Sequence, residues 1–139
     1  MKSSGLTCIV DDNPDFRILI HHFFTQSCPQ HSILLFASGQ ALLDALPQMS
    51  PPPSLILLDR HMPGLDGHQT LELLKQHPIY KRIPVVMISA QASRKEIDGC
   101  YESGVNSFLS KNPDFTSLQE ALSTVCRYWL DLNLIPSAL

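Results

Sequence analysis

Five short apolar runs alternate along the chain with longer segments in which apolar residues recur every three or four positions. The runs occupy residues 6–10, 32–36, 54–58, 84–88 and 107–109. Each run is continuous rather than alternating, and continuous runs of this length predict strands that are buried on both faces. This pattern is typical of a parallel sheet covered by helices.

The segments between the runs carry helix signals. Asn13 is positioned as an N-cap, because Pro14 follows it at the first helical position. Ser93 and Glu96 have the spacing of a capping box at the start of a fourth helix. Helical spacing predicts the other helices over residues 39–46, around Leu71 and Leu74 before Pro78, and along the stripe Phe115, Leu118, Leu122, Val125 and Trp129.

Because strand and helix signals alternate five times, the sequence predicts an α/β fold with an open parallel five-stranded sheet and helices on both faces. We expect one domain over residues 1–139, with a core from about residue 6 to about residue 130 and a C-terminal extension over residues 131–139. Sheets of this kind bind ligands at the carboxyl ends of their strands. We therefore expect the ligand-binding and catalytic residues at that edge.

Composition narrows the function classes. The net charge of −3 and the lack of a Lys/Arg run argue against nucleic-acid binding. No apolar stretch approaches the ~20 residues that span a bilayer, and no signal-type segment opens the chain, so we expect a cytoplasmic protein that does not bind membranes. The six histidines show no zinc-type spacing with the cysteines. The cysteines are interpreted as reduced thiols, with a disulfide left open as the alternative: Cys8, Cys28, Cys100 and Cys126.

Polar residues whose side chains could bind a ligand or take part in catalysis follow or end four of the five predicted strands. Asp11-Asp12 follow the first strand, Asp59 the third, Ser89 the fourth and Lys111 the fifth. Three carboxylates at one edge favour binding of a hard cation such as Mg²⁺. A carboxylate beside such an ion is a candidate nucleophile for phosphoryl transfer, with an ammonium and a hydroxyl to contact the phosphoryl oxygens. Taken alone, the aspartate pair is equally well explained as a solvated turn and a helix cap.

Together these residues resemble a known family. The pair Asp11-Asp12, the segment LLDRHMPGLDG at residues 57–67, Ser89-Ala90 and Lys111 are similar to the motifs of receiver domains of two-component systems, and the resemblance extends from about residue 6 to residue 129. It implies a (βα)5 flavodoxin-like fold. It also implies a phosphoryl group accepted from a sensor histidine kinase or a phosphotransfer protein.

The resemblance implies a role for each matching residue. Asp59 is the phosphoacceptor. In the family, a Mg²⁺ (or Mn²⁺) ion is bound directly at the positions of Asp12 and Asp59 and by the backbone carbonyl at the position of His61. Asp11 matches an acidic residue of the metal site that often acts through water. Lys111 pairs with the phosphoryl group. Ser89 and Phe108 act as switch residues that change the surface made by the fourth helix, fifth strand and fifth helix.

The chain departs from the family pattern after Lys111, where the family often has a cis proline. Asn112 stands there, so we expect a trans bond, because a cis non-proline bond costs ~2.5–4 kcal/mol. The apolar segment at residues 128–136 resembles small stand-alone response regulators paired with bacterial phytochrome-type histidine kinases. It predicts a partner surface, with a homodimer left open. For Trp129, core packing and an interface role both remain alternatives.

The sequence is compatible with three functions. The resemblance favours a signalling module, not an enzyme, that phosphorylates itself from a donor and loses the group slowly. No output domain is expected after the fifth helix. The alternatives are an adaptor that never takes a phosphoryl group and a hydrolase with an aspartyl nucleophile. The hydrolase is disfavoured because His61, rather than an acid, stands two residues after Asp59.

Overall fold

The structure, a computed structural model, describes residues 5–136. The strands are β1 (Leu6–Val10), β2 (Ser32–Phe36), β3 (Leu55–Asp59), β4 (Val85–Ser89) and β5 (Ser107–Ser110). The helices are α1 (Pro14–Ser27), α2 (Gly39–Ala45), α3 (Gly67–Gln76), α4 (Arg94–Glu102) and α5 (Phe115–Cys126). All strand pairs are parallel, in the order β2-β1-β3-β4-β5. The predicted (βα)5 flavodoxin-like architecture is confirmed, and residues 1–4 and 137–139 of the predicted domain lie outside the described residues.

Side-chain caps set the starts of the helices. The Asn13 side chain accepts hydrogen bonds from the first turn of α1, as predicted. The capping box of Ser93 and Glu96 at the start of α4 is also confirmed. A second box, which the sequence analysis missed, pairs Asp66 with Gln69 at the start of α3. These caps fix the points at which the chain turns from the carboxyl edge of the sheet into a helix.

The prediction that all five strands are buried is wrong for two of them. Every residue of β3 and β4 is buried, whereas no residue of β2 or β5 is fully buried. Leu34 in β2 is 44% exposed. The reason is topological, because β2 and β5 are the edge strands and each has only one neighbouring strand.

Two apolar cores, one on each face of the sheet, hold the layers together. Alternate β3 residues enter opposite cores, with Ile56 and Leu58 on one face and Leu55 and Leu57 on the other. The first core is shared with α2, α3 and α4, and the second with α1 and α5. Burial at both faces explains why β3 is apolar throughout until Asp59.

The C-terminal stripe was only partly predicted. Phe115 is 38% exposed, whereas the buried positions of this segment are Leu118, Leu122, Cys126 and Leu130. A π-helical turn, Arg127–Leu132, follows α5 and brings Leu130 onto the buried side. Trp129 is partly buried against the second core, which is shared with α1 and α5 and is called the α1–α5 core below. Its ring meets the Tyr128 ring edge-on, with 4.9 Å between the ring centroids, which supports the packing interpretation.

The cysteines and the helix lengths bear on two further expectations. Cys8, Cys28, Cys100 and Cys126 are all free and buried, so no disulfide joins them. Among residues 5–136, no helix has both the length and the apolar character needed to cross a membrane.

Candidate functional site

Three aspartates converge at the carboxyl edge of the central strands. β1 and β3 are neighbours, with Val10 paired to Leu58, so the residues that follow each lie side by side. Carboxylate oxygens of Asp11, Asp12 and Asp59 all lie within 4.8 Å of one another. Asp11 and Asp59 are buried and Asp12 is exposed. An all-oxygen, partly open cluster of this kind fits a hard divalent cation.

The surroundings of Asp59 disfavour the ionised form of its carboxyl group. Burial, followed by the nearby Asp11 charge, raises the pKa of Asp59 to about 7, while the Lys111 ammonium and the His61 backbone N–H oppose the rise. The hydrogen bond with Asp12 adds to the rise. A cation placed among these carboxylates would favour the ionised, nucleophilic form.

Lys111 extends from the edge strand across to the acidic cluster. Its Nζ lies 2.7 Å from Asp11 Oδ2 and 4.0 Å from Asp59 Oδ1. The Lys111 backbone N–H donates to the Ser89 carbonyl at 2.8 Å, which fixes the start of the side chain beside β4. The same ammonium lies 4.1 Å from the centroid of the Phe16 ring. The structure therefore brings the predicted lysine to the predicted carboxylates.

The start of α1 holds Asp11 in place. Asp11 Oδ1 accepts from the Asn13 N–H at 2.9 Å, and the Asp11 carbonyl accepts from Arg17 Nη1 at 2.7 Å. Sequence reasoning missed Arg17, although its position one helical turn after Asn13 returns its side chain toward the strand end. The contact between Lys111 and the Phe16 ring was not predicted either.

Ser89 is buried at the same edge, but its hydroxyl is engaged elsewhere. Ser89 Oγ donates to the Gln91 carbonyl at 2.7 Å. His61 Nε2 lies 2.9 Å from the same carbonyl and 3.3 Å from Glu96 Oε2. The imidazole is therefore held by the β4–α4 loop and the start of α4. Metal binding by the His61 carbonyl stays a prediction.

The remaining predicted residues lie on or after β5. Phe108 pairs in register with Met87 and is partly buried against the α2–α4 core. The only cis peptide bond among residues 5–136 precedes Pro51, so the Lys111–Asn112 bond is trans, as expected. Asn112 Oδ1 accepts from the Asp114 N–H at 2.8 Å, which turns the chain into α5.

Comparison with known proteins decides the family. The model of the response regulator receiver domain family matches residues 7–123. The chain belongs to the response regulator receiver domain family. The match includes every strand residue except Leu6, the first residue of β1, and it includes the four strand ends that carry polar residues.

Some proteins similar to this chain are response regulators that it matches over nearly their whole length. The chain is 30% identical over 135 residues to the response regulator Rcp1 of Synechocystis sp., covering 94% of this chain and 92% of Rcp1. It superposes with a TM-score of 0.89 on the phosphorylated cyanobacterial phytochrome response regulator RcpA, at 28% identity over 96% of this chain and 99% of RcpA. The Mn²⁺-bound form of Rcp1 gives a TM-score of 0.86, at 29% identity and the same coverage.

Proposed function

We propose that this receiver domain accepts a phosphoryl group on Asp59 from a sensor histidine kinase or a phosphotransfer protein, with Mg²⁺ (or Mn²⁺) held by Asp11, Asp12, Asp59 and the His61 carbonyl. The observation that carries the proposal is one buried carboxyl group, Asp59, with two further carboxylates and an ammonium around it. The Mn²⁺-bound structure of Rcp1 supports the choice of a divalent ion.

The residues divide the work of the transfer. A carboxylate oxygen of Asp59 forms the new bond to phosphorus as the bond from phosphorus to the donor's imidazole nitrogen breaks, and that nitrogen keeps the electron pair. A bound divalent ion supplies positive charge for the phosphoryl oxygens. Lys111 reaches a phosphoryl oxygen with a short movement, because its Nζ already lies 4.0 Å from Asp59 Oδ1.

Signal output requires that the phosphorylated domain favour a second conformation. Ser89 Oγ leaves the Gln91 carbonyl and donates to the phosphoryl group, which draws the β4–α4 loop toward Asp59. The partly buried Phe108 ring follows by moving further into the α2–α4 core. The changed surface is the one formed by α4, β5 and α5.

The domain acts on other molecules as a signalling module, and its only chemistry is phosphorylation of itself and slow hydrolysis. We propose one domain over residues 1–139, located in the cytoplasm. The relatives Rcp1 and RcpA support a kinase of phytochrome type as the donor. Exposed apolar side chains after α5 support a partner surface or a homodimer there, formed by Tyr128, Leu132, Leu134 and Ile135.

Intact-mass measurement tests the proposal. The wild-type chain and Asp59→Asn are incubated with acetyl phosphate or phosphoramidate, each with MgCl₂ or with a chelator. We expect one phosphoryl adduct that forms only with the metal and only on the wild-type chain. If the folded wild-type protein binds Mg²⁺ yet takes no adduct, the phosphoacceptor proposal is wrong and the adaptor alternative is favoured.

A further inference from the structure

Besides Asp59, whose Oδ1 is 4.0 Å away, the ammonium of Lys111 has two closely placed partners of different kinds. One is the carboxylate of Asp11, at 2.7 Å, and the other is the face of the Phe16 ring, at 4.1 Å from the centroid. A cation within about 6 Å of an aromatic centroid is attracted by the negative face of the ring. The proposed function uses Lys111 beside Asp59 but gives Phe16 no part.

The two partners respond differently to a bound cation. Asp11 belongs to the cluster that fits a divalent ion, and its second oxygen already accepts from the Asn13 N–H. A divalent ion on Asp11 therefore weakens the pull of this carboxylate on Lys111 and repels the ammonium. The Phe16 ring carries no net charge and offers no ligand to the ion, so its attraction for the ammonium persists.

The Phe16 ring is fixed at this place by the start of α1. Its side chain is 8% exposed and belongs to the α1–α5 core. Its backbone N–H donates to the capping side chain of Asn13 at 3.3 Å. The cap therefore ties the position of the ring to the same chain turn that positions Asp11.

We infer that the Phe16 ring face is a positioning element for phosphoryl transfer, holding the Lys111 ammonium beside Asp59 when a divalent ion has taken Asp11. The inference deepens the proposed function and rests on it. An ammonium held in place contacts the incoming phosphoryl group without a search among rotamers, which favours the transfer step. Phe16 itself touches neither the phosphoryl group nor the metal.

The first test weakens the ring face without changing its packing. Phenylalanine carrying one, two or three ring fluorines replaces Phe16, because each fluorine withdraws electron density from the face. The initial rate of adduct formation with acetyl phosphate and Mg²⁺ is measured. We expect a stepwise fall that reaches about fivefold for three fluorines, in line with the strength of such contacts. A flat series would overturn the inference and leave Phe16 as a core residue only.

A matched control uses Phe23, which is buried in the same core and meets the Phe24 ring edge-on at 5.5 Å. Fluorination at Phe23 is expected to leave the rate of adduct formation unchanged. An equal fall at Phe23 would show that fluorine acts through the core, and this result also overturns the inference.

The second test does not depend on phosphorylation. The ε-methylene signals of Lys111, assigned with Lys111→Arg, are recorded by NMR with and without Mg²⁺. We expect an upfield ring-current shift that persists in Mg²⁺ and disappears in Phe16→Leu. Loss of the shift when Mg²⁺ is added would overturn the inference. If the wild-type chain takes no phosphoryl group at all, the proposed function fails separately, and the NMR shift alone decides whether the ring holds Lys111.

Discussion

Removing the charge at Asp59 is expected to stabilise the metal-free protein above neutral pH. In the native state, burial and the Asp11 charge raise the pKa of Asp59 from its usual 3.8 to about 7. At about 1.4 kcal/mol per pKa unit, this rise of about three units implies that the ionised carboxylate destabilises the native state by up to about 4 kcal/mol. Asp59→Asn has nearly the shape of the neutral acid and removes this cost.

The pH dependence follows from the sign of the rise. Below about pH 4, Asp59 is protonated in both the native and the unfolded states, so it contributes no pH dependence. Between about pH 4 and about pH 7, the unfolded state loses the proton that the native state keeps, and the free energy of unfolding falls as pH rises. The advantage of Asp59→Asn should therefore grow over this range and level off above it.

Urea unfolding in a chelator, followed by the fluorescence of Trp129, measures the difference at several pH values. Asp44→Asn is the control, because Asp44 is exposed on α2 and lies outside the acidic cluster. Mg²⁺ at about 100 times its Kd should raise the free energy of unfolding of the wild-type chain by about 2.7 kcal/mol. A difference between Asp59→Asn and wild type that stays constant from about pH 5 to about pH 8 would refute the reasoning.

Three other substitutions probe the support around the site. Lys111→Met should bind Mg²⁺ several-fold more tightly in a calorimetric titration and lose phosphoryl transfer, because the ammonium 2.7 Å from Asp11 competes with the ion. Gly67→Ala should lower the free energy of unfolding in urea by about 1–3 kcal/mol, since a Cβ there would overlap the carbonyl oxygen of Asp59. The control Gly99→Ala meets only a histidine ring and should change stability by less than about 1 kcal/mol. Ser93→Ala should lower stability by about 1 kcal/mol, through loss of the α4 cap, and Ser93→Gly by only a few tenths.

Local signals in the sequence were sufficient to predict the elements. The five apolar runs located all five strands to within one residue at each end. In the structure, β3 and β4 each lie one residue later than predicted, so Asp59 and Ser89 are their last residues. The caps at Asn13 and Ser93 were predicted because a cap depends on a side chain and the few backbone N–H groups that follow it. Convergence of polar residues at one edge follows from parallel strands.

Strand order could not be predicted from these local signals. A continuous apolar run is expected of any strand in a covered parallel sheet, so the sequence did not distinguish the edge strand with Leu34 from the central strand with Leu57. The strand order depends on the arrangement of the crossover helices that lets the apolar cores on both faces of the sheet pack together. That order makes β1 and β3 neighbours and thereby places Asp11 against Asp59.

The sequence by itself determined which residue types stand at the strand ends, and the tertiary structure decided what each of them contacts. Lys111 could be assigned to the edge, but its ion pair with Asp11 spans 100 positions in the chain and exists only once the sheet is assembled. Ser89 could be identified as the hydroxyl, but its bond to the Gln91 carbonyl depends on the path of the β4–α4 loop. The apolar pattern of a strand and the cap of a helix depend on residues close together in the sequence. The side-chain contacts of the site depend on residues that only folding brings together.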